Sequence, residues 1–175
     1  IALMLNAPIC TTDEKEAAEW IRKHGQYGIL NDWSMRDYQK MDMELGIAVA
    51  HSKSIVGSSF GPRWVAASEF KHDAEGRPDI PMQLKVNGEL RCTSNAQTSY
   101  WSFPKIIAFL GRENIGLYPG TVLGSGTVGD GCIAEFAAKM ENGKEVEPAR
   151  YPWLKDGDVI EMAAGGIGTL TNTVK

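Results

Sequence analysis

The stretch Asn31-Asp32-Trp33-Ser34-Met35-Arg36-Asp37-Tyr38-Gln39 packs a carboxylate, a guanidinium and an amide into what reads as one strand-to-helix turn. Arg36 and Gln39 stand three apart, so a helix projects both from one face, next to Asp32 at its start. An acid with fork-shaped donors beside it suits a hard cation holding an oxygen-rich substrate. Asp at a strand-helix junction is also the ordinary N-cap residue, so the spacing alone leaves both readings open.

Other residues with chemical potential are scattered. Lys53, in His51-Ser52-Lys53-Ser54, precedes a Gly/Ser loop and can reach a bound anion, although a solvated surface lysine reads the same way. His51 is a candidate base. His24 at a helix end and His72 in a polar loop read as a dipole partner and an exposed side chain. Gly124-Ser125-Gly126-Thr127-Val128-Gly129-Asp130-Gly131 lets backbone approach a ligand closely, with Thr127 offering a hydroxyl. It has no Gly-Lys-Ser/Thr ending and opens no helix, which excludes a phosphate loop. Glu135, on an expected strand after it, reads by default as solvent-facing.

The elements that must position these groups follow from periodicity and punctuation. Ile1 to Leu5 reads as the inside of a strand. Thr11-Thr12-Asp13-Glu14 has the form of a capping box ahead of a helix ending near His24-Gly25. Tyr27 to Leu30 is a short strand leading into Asn31-Asp32, and Ser34 to Leu45 a second, polar helix with Ser34 as its cap. Val56 to Pro62 reads as loop and Trp64 to Ala67 as strand. Asn87-Gly88 joins Met82–Val86 to Glu89–Thr93 as a hairpin, and Asn142-Gly143 is expected to join Ile133–Met140 to 144–147. Ser102 to Gly111, with Pro104 in the first turn, is a helix. Val159–Met162 and Thr169–Val174 close the chain as strands. The fold class expected is mainly β (α+β), with two or three helices.

The chain has 175 residues and 43 % hydrophobic content, enough for one domain over residues 1–175 with its own core. Formal net charge is -4 with Lys and Arg dispersed, which argues against nucleic acid as a partner. No apolar run reaches the roughly 20 residues that a membrane helix needs. Cys10, Cys92 and Cys132 have no paired spacing, so neither disulfides nor a thiolate zinc site is encoded, and a cytoplasmic setting is expected.

Together these segments resemble the fumarylacetoacetate hydrolase family. Asn31-Asp32-Trp33-Ser34-Met35-Arg36-Asp37-Tyr38-Gln39 is similar to its Asn-Asp-x-Ser-x-Arg-Asp-x-Gln signature, and His51-Ser52-Lys53-Ser54 with Gly61-Pro62-Arg63-Trp64 to the Lys-Ser and Gly-Pro-Trp segments that follow. Gly124-Ser125-Gly126-Thr127 resembles the Gly-Thr loop. Trp153-Leu154-Lys155-Asp156-Gly157-Asp158-Val159-Ile160-Glu161 and Gly166-Ile167-Gly168-Thr169-Leu170 resemble the closing strands.

The resemblance implies a mixed β-sandwich or β-roll and a metal-dependent hydrolase that cleaves a carbon-carbon bond in a β-diketone or acylpyruvate-like substrate. It makes Asp32 one ligand of a Mg²⁺, Mn²⁺ or Ca²⁺ ion. Arg36, Gln39 and Lys53 become substrate-polarising or proton-donating groups, Thr127 a substrate contact, and Glu135 the partner that orients a catalytic histidine. A homodimer acting on a small oxo-acid or diketone is implied. Gly57 and Met43 stand where hydrolase-type members carry Thr and Tyr. The family's Glu-x-Glu ligand pair is expected just before Ile1 and its histidine further upstream. The chain is therefore expected to be part of a larger protein and to have no hydrolase activity alone. Two rivals stand beside hydrolysis: decarboxylation or isomerisation of 2-oxo and 2-hydroxydienoic acids on the same platform, and an inactive structural or binding domain.

Overall fold

The first strand, β1 (Ala2–Leu5), lies in the middle of a sheet, and its unbroken apolar sequence follows from that: Ala2, Leu3 and Leu5 are fully buried. In the computed structural model, which describes residues 1–47, 51–137, 139–141 and 144–175, ten strands and four α-helices are arranged along the described chain. β2 (Gly25–Asp32) and β6 (Val122–Gly124) flank β1, and β3 (Ser58–Ala66) pairs with the outer side of β2, giving an antiparallel sheet of order β3-β2-β1-β6. A second antiparallel sheet has the order β10-β9-β4-β5, from β4 (Pro81–Val86), β5 (Glu89–Asn95), β9 (Val159–Ala164) and β10 (Gly168–Thr173). β7 (Lys139–Glu141) and β8 (Lys144–Glu147) form a separate pair.

One core joins the two sheets. Leu3, Tyr27 and Ile29 from the first meet Met82, Ala164 and Ile167 from the second, together with Ile21 and Ile107 from helices. Asn31 Nδ2 donates to Asn172 Oδ1 at 3.1 Å, and Arg63 donates to the carbonyls of Ile167 and Gly166 at 3.0 and 2.9 Å. The Gly-Pro-Arg and Gly-Ile-Gly motifs therefore meet as a clamp between sheets. Asp158 clamps another junction, accepting from Asn87 Nδ2 and from the Lys155 amide, both at 2.9 Å.

The Asn87-Gly88 hairpin forms as expected, with φ of +52° and +79° at its two turn residues. Helix α4 (Phe103–Arg112) also forms as expected, capped by Ser102. It buries Ile107, Ala108 and Gly111 and packs on α1 (Glu14–His24). A Cβ on Gly111 would stand 2.0 Å from the Thr11 carbonyl oxygen. Backbone cannot move aside cheaply, so Gly111→Ala is expected to cost about 3 kcal/mol or more in urea unfolding, against a usual helix gain of under about 1 kcal/mol from replacing Gly.

Four expectations need correction. The N-cap of α1 is Asp13, whose Oδ1 accepts from the Lys15 and Glu16 amides at 2.7 and 3.3 Å, while Thr11 Oγ1 is bonded to Glu16. A carboxylate two residues on reaches two orphan N–H groups at once. The second helix, α2 (Arg36–Glu44), starts later than Ser34, and no side chain caps it, because Ser34 Oγ is engaged by Asp32 and Lys53 instead. β3 runs through the Gly/Ser/Pro stretch that reads as loop: Ser58 pairs with Asp32 and Ser59 with Asn31, and an edge strand tolerates Pro62. The expected strand from Ile133 to Met140 is instead a 3-10 turn over Ile133–Phe136 followed by β7. The Asn142-Gly143 turn lies outside the described residues.

His72 is half-buried, not exposed. Its Nε2 and Tyr27 Oη share a hydrogen bond at 3.0 Å, and burial lowers the His72 pKa. The described residues form three longer helices, α1, α2 and α4, plus a single turn, α3 (His51–Ser54). Among the described residues, no helix is long and apolar enough to cross a membrane.

Candidate functional site

β2 ends on Asp32, whose side chain is 52 % exposed at the sheet margin. Lys53, on the single turn α3, reaches across to it: Nζ donates to Asp32 Oδ2 at 2.5 Å and to Ser34 Oγ at 2.6 Å. Ser34 Oγ in turn donates to the Asp32 carbonyl at 3.2 Å, and Ser58 Oγ lies 3.5 Å from Asp32 Oδ1. The α3 turn is held in place from below. Met35 N–H donates to Ser52 O at 3.0 Å, and the carboxylate of Asp42, 1 % exposed, accepts from the amides of His51 and Ser52 at 2.9 and 3.2 Å. Hydrogen bonding from His51 is the main reason that the Asp42 pKa is lowered.

Arg36 ties α2 to the glycine-rich segment. Its Nη1 donates to Gln39 Oε1 at 2.5 Å and its Nη2 to Cys132 Sγ at 3.0 Å. The segment begins where Ser125 N–H donates to the Ile1 carbonyl at 3.0 Å, which seats it beside β1.

These pieces border one cleft of about 740 Å³ between the sheets' ends and the 124–134 segment. Asp32, Arg36, Lys53 and Thr127 all line it, so four sequence candidates from three separate segments share one space. Among the described residues its charged lining comprises three cationic side chains, Arg36, Lys40 and Lys53, against two carboxylates, Asp32 and Asp37. A pocket of that size with a cationic bias suits a small anionic molecule.

The other candidates are placed differently. Gln39 stands behind the cleft and acts on it through Arg36. Glu135 is exposed in the 3-10 turn, outside the cleft lining, with Oε2 accepting from the Asp130 amide and Oε1 from the Cys132 amide, both at 3.0 Å. His51 is 60 % exposed and likewise outside the lining, with Nδ1 2.8 Å from Asp42 Oδ1. The sequence reading missed Lys40 and Cys132. Lys40 is four residues after Arg36 and hence on the same helical face, a signal that was present; nothing in the spacing of Cys132 announces its contact with Arg36.

A hard divalent cation fits the donor chemistry in kind and falls short in number. Asp32 offers a partly exposed carboxylate among hydroxyls, but such ions take about six to eight oxygens for Ca²⁺ and six for Mg²⁺. Among the described residues, no group of three or more His, Cys, Asp or Glu side chains is assembled to hold an ion.

Two packed antiparallel sheets with a cationic cleft at their margin define the class, and sequence comparison defines the family. The sequence profile of the fumarylacetoacetate (FAA) hydrolase C-terminal domain matches residues 1–175, and the chain belongs to that family. It is 27 % identical over 154 residues to the oxaloacetate tautomerase YisK of Bacillus subtilis, covering 85 % of this chain and 42 % of the tautomerase. It superposes on a fumarylacetoacetate hydrolase from Exiguobacterium antarcticum with a TM-score of 0.69 at 26 % identity, over 99 % of this chain and 54 % of that one. The fold also matches a fumarylpyruvate hydrolase from Pseudomonas aeruginosa, solved with Mn²⁺ and pyruvate, with a TM-score of 0.67 at 22 % identity over 99 % and 62 %. The chain spans about half the length of these relatives.

Proposed function

We propose that the cleft serves the metal-dependent hydrolysis of a carbon-carbon bond in a β-diketone or acylpyruvate-like substrate. The observation that carries this reading is the convergence of Asp32, Lys53, Arg36 and Thr127 on one cleft of small-molecule size. Membership of a family that includes fumarylacetoacetate hydrolases supports it. Asp32 would be one ligand of the cation, with substrate and water oxygens among the rest. When bound, the cation supplies Lewis acidity toward the substrate's chelating oxygens.

The chain's own groups account for the rest of the chemistry. Arg36 and Lys40 attract the oxo-acid carboxylate, with Gln39 holding the Arg36 fork and Thr127 contacting the substrate. Water adds its hydroxyl to the acyl carbonyl while its proton passes to a general base, the histidine that the family resemblance implies. The carbon-carbon bond breaks, its electron pair stays on the methylene carbon of the departing oxo acid, and the base's proton later recharges Lys53. Lys53, as the ammonium, stabilises the developing oxyanion and returns a proton to that carbon. The products are a carboxylic acid and a 2-oxo acid.

A second reading, decarboxylation of a 2-oxo acid or isomerisation of a 2-hydroxydienoate, gains from the geometry of Glu135. Both its oxygens are engaged by backbone N–H groups, an arrangement that closes a turn and needs no histidine. Hydrolysis with Glu135 orienting a histidine requires that Glu135→Gln lower kcat by about 10²-fold or more. A fall in melting temperature is expected as well, because the amide nitrogen cannot accept the N–H it inherits. A variant with reduced Tm but a wild-type rate would assign Glu135 to the turn alone. Assaying carboxylic-acid release against CO₂ release over a panel of acylpyruvates and 2-oxo diacids separates the two reactions; CO₂ as the sole product would overturn hydrolysis.

A further inference from the structure

Beside the cleft lies a smaller chamber of about 160 Å³ that the catalytic reading leaves unused. The two spaces share Leu84, Val86, Ile133, Trp153 and Leu154 as lining, so they adjoin at an apolar wall. The rest of the chamber sets two aromatic rings, Phe136 and Tyr151, among charged and polar side chains. The rings of Phe136 and Tyr151 meet edge to face at 5.1 Å and 77°, and the Arg91 guanidinium lies 3.9 Å from the centre of the Tyr151 ring.

Arg91 takes this place through a strand irregularity. Leu84 pairs with Cys92 and Lys85 with Leu90, so Arg91 is the extra residue of a bulge, a device that re-aims a side chain. Its charge is already answered by Glu89, 3.0 Å from Nη2. Asp130 and Asp158 also line the chamber against Arg91 and Lys155, so the charges balance two against two. A second carboxylate gains no net attraction there. Arg91 Nε is buried without a hydrogen-bond partner and leaves one donor for a neutral oxygen on a ligand.

We propose that this chamber receives the acyl tail of the substrate and selects a flat, uncharged aromatic tail, making aroylpyruvates the preferred substrate class. The inference rests on the proposed reading of the cleft and names the substrate that reading leaves open. The volume supports it in size, since a cavity of about 150 Å³ accommodates a benzene ring. Adjacency supports it too: with a head group at Asp32 and Lys53, the tail is directed toward the apolar wall that the two spaces share.

The test is a comparison of acetylpyruvate, benzoylpyruvate and fumarylpyruvate with Mg²⁺ present, using stopped-flow tryptophan quenching to obtain Kd before turnover. Trp33 and Trp153 line the cleft and supply the signal. Benzoylpyruvate is expected to bind at least about tenfold more tightly than acetylpyruvate, the gain expected from burying a phenyl group, with fumarylpyruvate no tighter than acetylpyruvate. Tyr151→Ala should reduce the benzoyl-to-acetyl ratio to about two. Equal affinities for all three would overturn the inference. Fumarylpyruvate binding tightest, with the advantage lost in Arg91→Met, would overturn it in favour of a carboxylate subsite. If Asp32→Ala weakens none of the three, the reading of the cleft fails and the tail subsite falls with it; Asp32-dependent binding without a phenyl gain rejects the tail subsite alone.

Discussion

Asp32→Ala is expected to remove measurable binding of Mg²⁺ or Mn²⁺ by the intact protein and to lower kcat/KM by about 10³-fold or more, as loss of a Lewis acid does. Asp32 is the one carboxylate that the described chain sets among hydroxyls at the inner end of β2. Hard cations bind anionic oxygen far better than neutral alternatives. Asp32→Asn separates charge from shape: it keeps the size and the acceptor facing Ser58, and it should bind metal nearly as poorly as Asp32→Ala. Both variants should melt close to the wild type, because a half-exposed side chain at a strand end contributes little to the core. Full activity in excess EDTA, or unchanged calorimetric affinity in either variant, would count against the assignment.

Lys53→Met should move two observables in opposite directions. Lys53 Nζ occupies an oxygen of Asp32 at 2.5 Å, so ammonium and metal compete for the same carboxylate. Removing the ammonium is expected to tighten metal binding several-fold. It should also lower kcat by about 10²- to 10³-fold, the usual loss when one preorganised donor to an oxyanion is deleted. A purely structural lysine would weaken both or neither. Measuring Mn²⁺ affinity and single-turnover rates on the same preparation decides between these outcomes.

Much of the site was legible in the sequence because it depends on short-range order. The signature from Asn31 to Gln39 spans one junction, and helical spacing put Arg36 and Gln39 on one face, where they do bond. The Asn87-Gly88 turn and the Ser102 cap are equally local. Two misreadings arose where a distant partner outweighed local propensity, and two where a side chain bonded nearby backbone N–H groups. Ser34 has the residue type of an N-cap, but Lys53, from a separate element, claims its hydroxyl. The Gly/Ser/Pro stretch is a strand because β2 needs an edge partner. Glu135 lies in a segment patterned as a strand, yet two backbone N–H groups within five residues bend it into a turn. Asp13 displaced the Thr11 cap by reaching two amides at once.

The motifs divide by role once placed. Gly61-Pro62-Arg63 and Gly166-Ile167-Gly168 hold the sheets together, as Asp158 holds the β4–β5 turn to β9. They build the platform; Asp32, Arg36, Lys53 and Thr127 face the cleft. Family likeness in the first group speaks for fold and in the second for chemistry.

The central claim is that Asp32 holds a divalent cation in the cleft shared by Lys53, Arg36 and Thr127. Paramagnetic broadening of assigned amide resonances by substoichiometric Mn²⁺ tests it most directly, because it locates even a weakly bound ion. Broadening centred on residues 31–36, Lys53 and Thr127, and absent in Asp32→Ala, is the expected result. Broadening centred elsewhere, or persisting at the same residues in Asp32→Ala, would contradict it.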